Sequence, residues 1–289
     1  MTGIALLLVN PNSRQGRESL PKVRELLRQA GVEFIELPHD SGETPADAII
    51  NRAAQVDRVI VGGGDGSLNA AAKGLLATGL PLGVLPLGTA NDFARTVGLP
   101  FQLTAAVKII AEGKTAKVDL GDANGHPFFN VASVGFSAEL AASLTQEAKK
   151  RWGKLGYGIV AARLLANSRL FTAILEHDGQ TKGLRTFQVS VGNGRFYGGG
   201  MKVHTDATVF DGMLDVFSLE VNHWWKLLAL LPSLRRGTHG QSDDVRAFST
   251  RELTISTRKP MPVNLDGELK TRTPVKFTIR EKAIAVFVK

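Results

Sequence analysis

Apolar and polar positions alternate in two regimes along the chain. In the first, apolar runs of strand length at residues 4–10, 33–37, 58–61 and 82–85 are separated by stretches with helical spacing at 20–30, 45–55, 67–76 and 103–112. A strand–helix rhythm with apolar strands predicts a parallel sheet covered by helices on both faces.

The pattern changes near Val118. Strand-like runs then dominate, at residues 128–132, 171–176, 186–192, 214–219, 252–256 and 275–280, with a last one at 284–288. Turn signals separate them, such as Asp122-Ala123-Asn124-Gly125, Asp178-Gly179 and Asp211-Gly212. The predicted organisation is an α/β N-terminal domain over residues 1–120 and a β-rich domain over 121–280.

Two helical stretches interrupt the β-rich part. Residues 139–167 carry Lys149-Lys150-Arg151-Trp152-Gly153-Lys154, and residues 222–236 carry Trp224-Trp225, then Leu227, Leu228, Leu230 and Leu231, and Arg235-Arg236. Cations beside Trp and Leu suit a helix lying on an anionic membrane. The alternative is a core-packed helix with a solvated basic edge.

Composition narrows the classes. The 289 residues carry 35 basic and 27 acidic side chains, a net charge of +8, which favours an anionic partner. No zinc-finger, helix-turn-helix or RNP-type motif supports nucleic acid. With no cysteine, disulfides, thiolate metal sites and a Cys nucleophile are excluded, which fits a reducing compartment. The start lacks the basic flank of a signal peptide. No apolar run approaches the ~20 residues of a membrane span. The six histidines show no metal-ligand spacing.

The candidate chemistry lies where two apolar runs end. Residues 62–69 read Gly-Gly-Gly-Asp-Gly-Ser-Leu-Asn, with four glycines in the first five positions. Such a loop lets backbone N–H groups approach a ligand, and at a helix start it favours phosphate. It is no Walker A loop, since no Gly-Lys-Ser/Thr follows, and no dinucleotide fingerprint, since Ser67 stands where that needs Gly. Asp65 beside a phosphate site calls for a bridging cation such as Mg²⁺; a turn-stabilising side chain is the plainer reading. A second polar loop, Pro86-Leu87-Gly88-Thr89-Ala90-Asn91-Asp92-Phe93, follows residues 82–85. Loops at the ends of neighbouring strands converge on one crevice.

Together these loops resemble the catalytic domain of the diacylglycerol-kinase superfamily, in particular its bacterial YegS-like branch. The likeness extends over Asn10-Pro11-Asn12-Ser13, residues 129–136, Val191-Gly192-Asn193-Gly194, Gly198-Gly199-Gly200, residues 211–216 and Asn264-Leu265-Asp266-Gly267-Glu268. It implies a β-sandwich second domain, with the last strand at 281–289 returning to the first. It also implies ATP- and Mg²⁺-dependent phosphorylation of a lipid hydroxyl, of diacylglycerol or phosphatidylglycerol type. On the family pattern Gly64, Asp65, Gly66, Ser67, Leu68, Asn69, Ala70 and Thr89 contact the nucleotide. Asp65 serves the phosphates and Mg²⁺, Glu268 is the general base, and Asp92 joins them in an acidic network. Asp211, with the carbonyls of Thr208 and Met213, would hold a separate Mg²⁺. The implied setting is cytoplasmic, peripheral at the inner membrane face; a homodimer is left open.

The chain departs from the family motif Gly-Gly-Asp-Gly-Thr-x-Asn-Glu at two places. Ser67 keeps the hydroxyl of the Thr, whereas Ala70 removes the carboxylate of the Glu. Kinases of soluble substrates share Gly-Gly-Asp-Gly, but the Thr-Gly-Ser-Thr-Ala-Tyr of NAD kinases and the Asp-Asn-Asp of phosphofructokinases are missing. A sphingoid-base kinase and a non-catalytic nucleotide- or membrane-binding homologue remain as alternatives.

Overall fold

The structure, a computed structural model, describes residues 3–9, 14–38, 41–143, 169–202, 207–221 and 235–289, with Lys226, Leu230, Pro232 and Ser233. Asn10-Pro11-Asn12-Ser13, His39-Asp40, the basic run 149–154 and Trp224-Trp225 lie outside these residues.

The first half follows β1 (Ile4–Val9), α1 (Arg14–Gln29), β2 (Glu33–Glu36), α2 (Pro45–Arg52), β3 (Arg58–Gly63), α3 (Asp65–Thr78), β4 (Leu82–Pro86), α4 (Asp92–Thr96), α5 (Leu103–Glu112) and β5 (Thr115–Ala123). Strands β2-β1-β3-β4 pair in parallel. β3 and β4 are buried along their whole length, as the unbroken apolar runs require. Thr44 Oγ1 caps α2 by accepting from the Asp47 amide at 3.2 Å. α3 packs closely on α2 because Gly74 has no Cβ; one there would come within 2.6 Å of the Ala46 carbonyl oxygen.

Two features differ from the sequence reading. α1 begins at Arg14 rather than near 20, because its polar first turn carries no apolar period. α4, five residues long, is too short for periodicity to reveal.

The second half comprises β6 (His126–Phe128), β7 (Val131–Gly135), α6 (Phe136–Ser143), β8 (Phe171–His177), β9 (Gln180–Thr186), β10 (Gln188–Gly192), β11 (Phe196–Tyr197), β12 (Met201–Lys202), β13 (Leu214–Leu219), β14 (Val245–Thr250), β15 (Glu252–Thr257), β16 (Pro262–Leu265), β17 (Glu268–Arg272) and β18 (Val275–Phe287). A six-stranded antiparallel sheet runs β14-β13-β10-β7-β16-β17. It faces the antiparallel end of a ten-stranded sheet, where β18, β15, β8 and β9 follow β4. Ala132, Val134, Val191 and Val216 of one sheet meet Phe128, Leu175, Ile255 and Phe277 of the other in one buried cluster. Each such Val, Leu, Ile or Phe contributes roughly 1.5–3 kcal/mol on burial.

The two runs expected at 275–280 and 284–288 form a single strand. β18 pairs with β15 antiparallel near its start, and Val286 pairs with Leu82 of β4 in parallel near its end. Its register against β5 shifts between Arg280 and Ile284, where Lys282 takes a left-handed φ of 51°. The parallel sheet of the first half is therefore part of a mixed sheet shared by both halves. Conversely, the run expected at 128–132 is broken at Phe129-Asn130, and that at 186–192 at Phe187.

Candidate active site

The glycine loop leaves β3 and enters α3 through Gly64, whose carbonyl accepts from Ser67 N at 2.9 Å and Leu68 N at 3.3 Å. Beside it lies Gly88, at the end of β4. The backbones of the two loops touch: a Cβ on Gly64 would lie 3.1 Å from the Gly88 Cα. Asn91, left-handed at φ 52°, holds the second loop closed. Its Oδ1 accepts from Gly88 N at 2.9 Å and its Nδ2 donates to Gly88 O at 2.8 Å. Gly66, Ala70 and Thr89 are exposed, and Ser67 is half-buried. A Cβ on Gly66 would meet nothing within 4 Å, so that side of the loop is open to a ligand. Leu68 is buried in the core, which leaves only its backbone to a nucleotide.

Asp65 turns toward the neighbouring loop. Its Oδ2 accepts from Asp92 N at 3.1 Å, and its Oδ1 accepts from Phe93 N at 2.9 Å and Asn130 Nδ2 at 3.0 Å. The carboxylate thus supplies acceptors for the first free amides of α4. It keeps lone-pair capacity on Oδ2 beside the glycine loop.

Asp266, for which the sequence alone suggests no more than a turn, is a hub of the site. Its Oδ2 accepts from Phe129 N at 2.7 Å and Asn69 Nδ2 at 3.1 Å; its Oδ1 accepts from Asn130 N and Val131 N, both at 3.0 Å. These bonds interrupt the strand expected at 128–132, since the amides of Phe129 and Asn130 point at a carboxylate rather than into a ladder. Burial pushes the Asp266 carboxyl up to about 6, with the Phe129 and Val131 amides, Asn69 and the Asn130 amide pulling the other way. Asp266 and Gly267, at φ 48° and 96°, form the two-residue turn between β16 and β17. Only a local signal of a turn was visible in the sequence.

Glu268 follows that turn. Its side chain is 48% exposed and pairs with Lys270 Nζ at 2.6 Å. The acidic network expected of Asp65, Asp92 and Glu268 is completed by Asp266 in place of Glu268. Asp92 is buried, and its Oδ2 accepts from Gly199 N at 2.8 Å. Burial raises its carboxyl; the Gly199 amide opposes this and the nearby Asp65 charge adds to it. Asn193, also in the matching motif, donates to Phe129 O at 2.8 Å and Asp119 O at 3.0 Å. Phe93 meets Phe129 edge-on at 4.8 Å, joining α4 to the second half.

Thr208, Asp211 and Met213 lie on a separate loop. Asp211 Oδ1 accepts from Met213 N at 3.0 Å, and buried Asp119 grips the same loop by accepting from Gly212 N at 2.8 Å. Burial raises the Asp211 carboxyl; the Met213 amide lowers it, and Asp215 and Asp119 raise it further. A hard cation suits such a surplus of negative oxygens. Among the described residues no three His, Asp or Glu side chains converge on one point, so any ion here relies on the backbone carbonyls.

In the 222–236 stretch, Lys226 pairs with Asp244 at 2.8 Å, and Leu230 packs on a core cluster with Phe187, Phe217 and Val245. Leu230 packs inward, while Lys226 stays partly exposed. No helix among the described residues is long and apolar enough to cross a membrane.

Comparison with known proteins assigns the class of the chain that carries these loops. The diacylglycerol kinase catalytic domain matches residues 4–123, and the YegS C-terminal NAD kinase beta sandwich-like domain matches residues 130–288. A diacylglycerol kinase of Mycobacterium tuberculosis is 33% identical over 276 residues, covering 90% of this chain and 86% of its own. A YegS-like lipid kinase of Pseudomonas aeruginosa is 32% identical over 292 residues, covering 97% and 93%. The crystal structure of a diacylglycerol kinase from Bacillus anthracis superposes with a TM-score of 0.81 at 25% identity, covering 100% of this chain and 98% of that one. The chain belongs to the diacylglycerol-kinase family of lipid kinases, with a YegS-type second domain.

Proposed function

We propose that the protein transfers the γ-phosphate of ATP to the free hydroxyl of a membrane lipid of the diacylglycerol or phosphatidylglycerol type. One observation carries the reading: the Asp266–Asn130–Asp65–Asp92 hydrogen-bond chain gathers the glycine loop, the Asn91-Asp92 loop, the Phe129-Asn130 break and the Asp266-Gly267-Glu268 turn around one crevice. The touching glycines of the two loops leave backbone amides, Gly66 and Thr89 for the phosphates.

Glu268 stands at the tip of a hairpin that Asp266 fixes to that crevice. In this reading it leaves Lys270 and takes the lipid hydroxyl proton as the oxygen bonds to γ-phosphorus and the bond to ADP breaks. Asp65 orders α4 and keeps Oδ2 near the phosphates. Mg²⁺ held there would neutralise phosphate charge. A second ion on Asp211 and the Thr208 and Met213 carbonyls would brace the outer loop. The net charge of +8 supports docking on an anionic bilayer surface from the cytoplasm.

The test is transfer of labelled γ-phosphate from ATP and Mg²⁺ to a lipid panel in mixed micelles. A labelled lipid names the substrate. ATP binding with no lipid labelled, under conditions in which soluble alcohols are labelled, overturns the lipid reading.

A further inference from the structure

We propose that Arg95 is the phosphoryl-binding residue of the cleft, taking the oxygens of a phosphate carried by the nucleotide or by the lipid. The inference rests on the lipid-kinase reading above.

Arg95 lies on α4, one turn beyond Asp92, where the two halves of the chain meet. On one side is the loop Gly88–Asn91 that touches the glycine cradle. On the other are β11 and the run Gly198-Gly199-Gly200, left-handed at φ 58°, 84° and 109°. That run borders the arginine: a Cβ on Gly200 would lie 4.0 Å from its Nε, in ordinary van der Waals contact.

The guanidinium is held but not satisfied. Its Cζ is 5.0 Å from the Phe101 ring centre and 5.6 Å from that of Phe196. Two aromatic neighbours hold a cation in place, Phe101 from the exposed side. Its Nε is buried and has no hydrogen-bond partner. Asp92, the carboxylate whose titration it affects, is turned to Gly199 by Oδ2, and its Oδ1 is likewise unpartnered.

A buried donor without an acceptor is uncommon and calls for a ligand. Arginine is always charged, and its planar fork matches the oxygens of phosphate two at a time. A phosphoryl group arriving from the glycine cradle meets this fork on its way to the lipid side.

The experiment compares wild type with Arg95→Lys and Arg95→Gln. Calorimetry measures binding of a non-hydrolysable ATP analogue and of a water-soluble short-chain phosphatidate. Kinetics give kcat and both KM values, and thermal melting reports the fold. The expected result is at least a tenfold loss of affinity for one phosphate ligand in both variants, with Arg95→Lys melting near wild type. A loss confined to the ATP analogue assigns the nucleotide phosphate; one confined to phosphatidate assigns the lipid phosphate. Wild-type affinity for both ligands in Arg95→Lys overturns the proposal, as does a loss that only tracks lowered melting. Should Arg95→Gln not fold, Arg95→Lys decides, since it keeps the charge and stem but loses the fork. Failure of wild type to phosphorylate any lipid overturns the lipid-kinase reading instead.

Discussion

Asn130 donates its backbone amide to the carboxylate of Asp266 at 3.0 Å, although 136 positions separate the two residues. The same asparagine donates its side-chain amide to Asp65 at 3.0 Å. One residue therefore ties the turn that carries Glu268 to the loop that would carry the nucleotide.

Asp266→Ala leaves the amides of Phe129, Asn130 and Val131 and the Asn69 side chain without their acceptor. Unmade bonds to buried donors are costly, and the expected loss is on the order of 3 kcal/mol. Urea unfolding checks it; a midpoint equal to that of wild type would show that the break at 129–130 holds by itself.

Glu268→Gln removes a carboxylate that is 48% exposed and pairs with neighbouring Lys270 among the described residues. Melting is expected to stay within a degree or two of wild type, while kcat for lipid phosphorylation falls by roughly 10²–10⁴. Full activity in the folded variant removes Glu268 from the role of base.

Gly88→Ala places a Cβ against the Gly64 backbone and forces the two loops apart. Gly66→Ala meets nothing within 4 Å in the protein itself. The first variant is expected to lose both stability and ATP binding. The second is expected to fold as wild type but bind ATP more weakly, since the added methyl enters the ligand space. Unchanged ATP affinity in Gly66→Ala places the phosphates elsewhere.

Asp266 has a carboxyl raised to about 6 from an ordinary 3.8. Between these values the folded chain holds a proton that the unfolded chain has released. Its stabilising contribution is thus complete below about pH 4 and lost as the pH rises toward 6. Asp92 is shifted in the same direction. Denaturant midpoints from pH 4 to 7 should fall more steeply for wild type than for Asp266→Asn; equal slopes contradict this assignment.

Burial raises the Asp211 carboxyl, and the Asp215 and Asp119 charges add to it. Mg²⁺ at 100 times its Kd should stabilise the native state by about 2.7 kcal/mol. The shift is expected in wild type and to be absent in Asp211→Asn. Equal shifts in both place the stabilising ion off this loop.

The two loops could be read from the sequence because their signals are local. Glycines directly after a buried run leave few alternatives to a strand-to-helix turn, and two such turns on adjacent strands must share a crevice. Asp266 could not be read in this way. Asp-Gly announces a hairpin, whereas its hydrogen bonds go to amides more than a hundred positions away. The break at Phe129-Asn130 was hidden for the same reason, since apolar Phe128, Phe129 and Val131 look like a continuous strand. α4 escaped because five residues beginning after a left-handed Asn91 give no helical period. The position of Glu268 after a turn was legible; its pairing with Lys270 was not, because both residues are exposed.

The last strand has a mechanical consequence. Its 13 residues lie inside the one mixed sheet that both halves share, between β4 and β15, so no slack linker separates the halves along that strand. Widening the crevice must twist a hydrogen-bonded beam instead of swinging two bodies on a hinge. The beam is weakest at the register shift around Lys282, whose amide donates to Asp119 at 2.6 Å. Asp119 holds Gly212 as well. Asp119 therefore ties the outer loop to the one place where the pairing of β18 with β5 slips out of register.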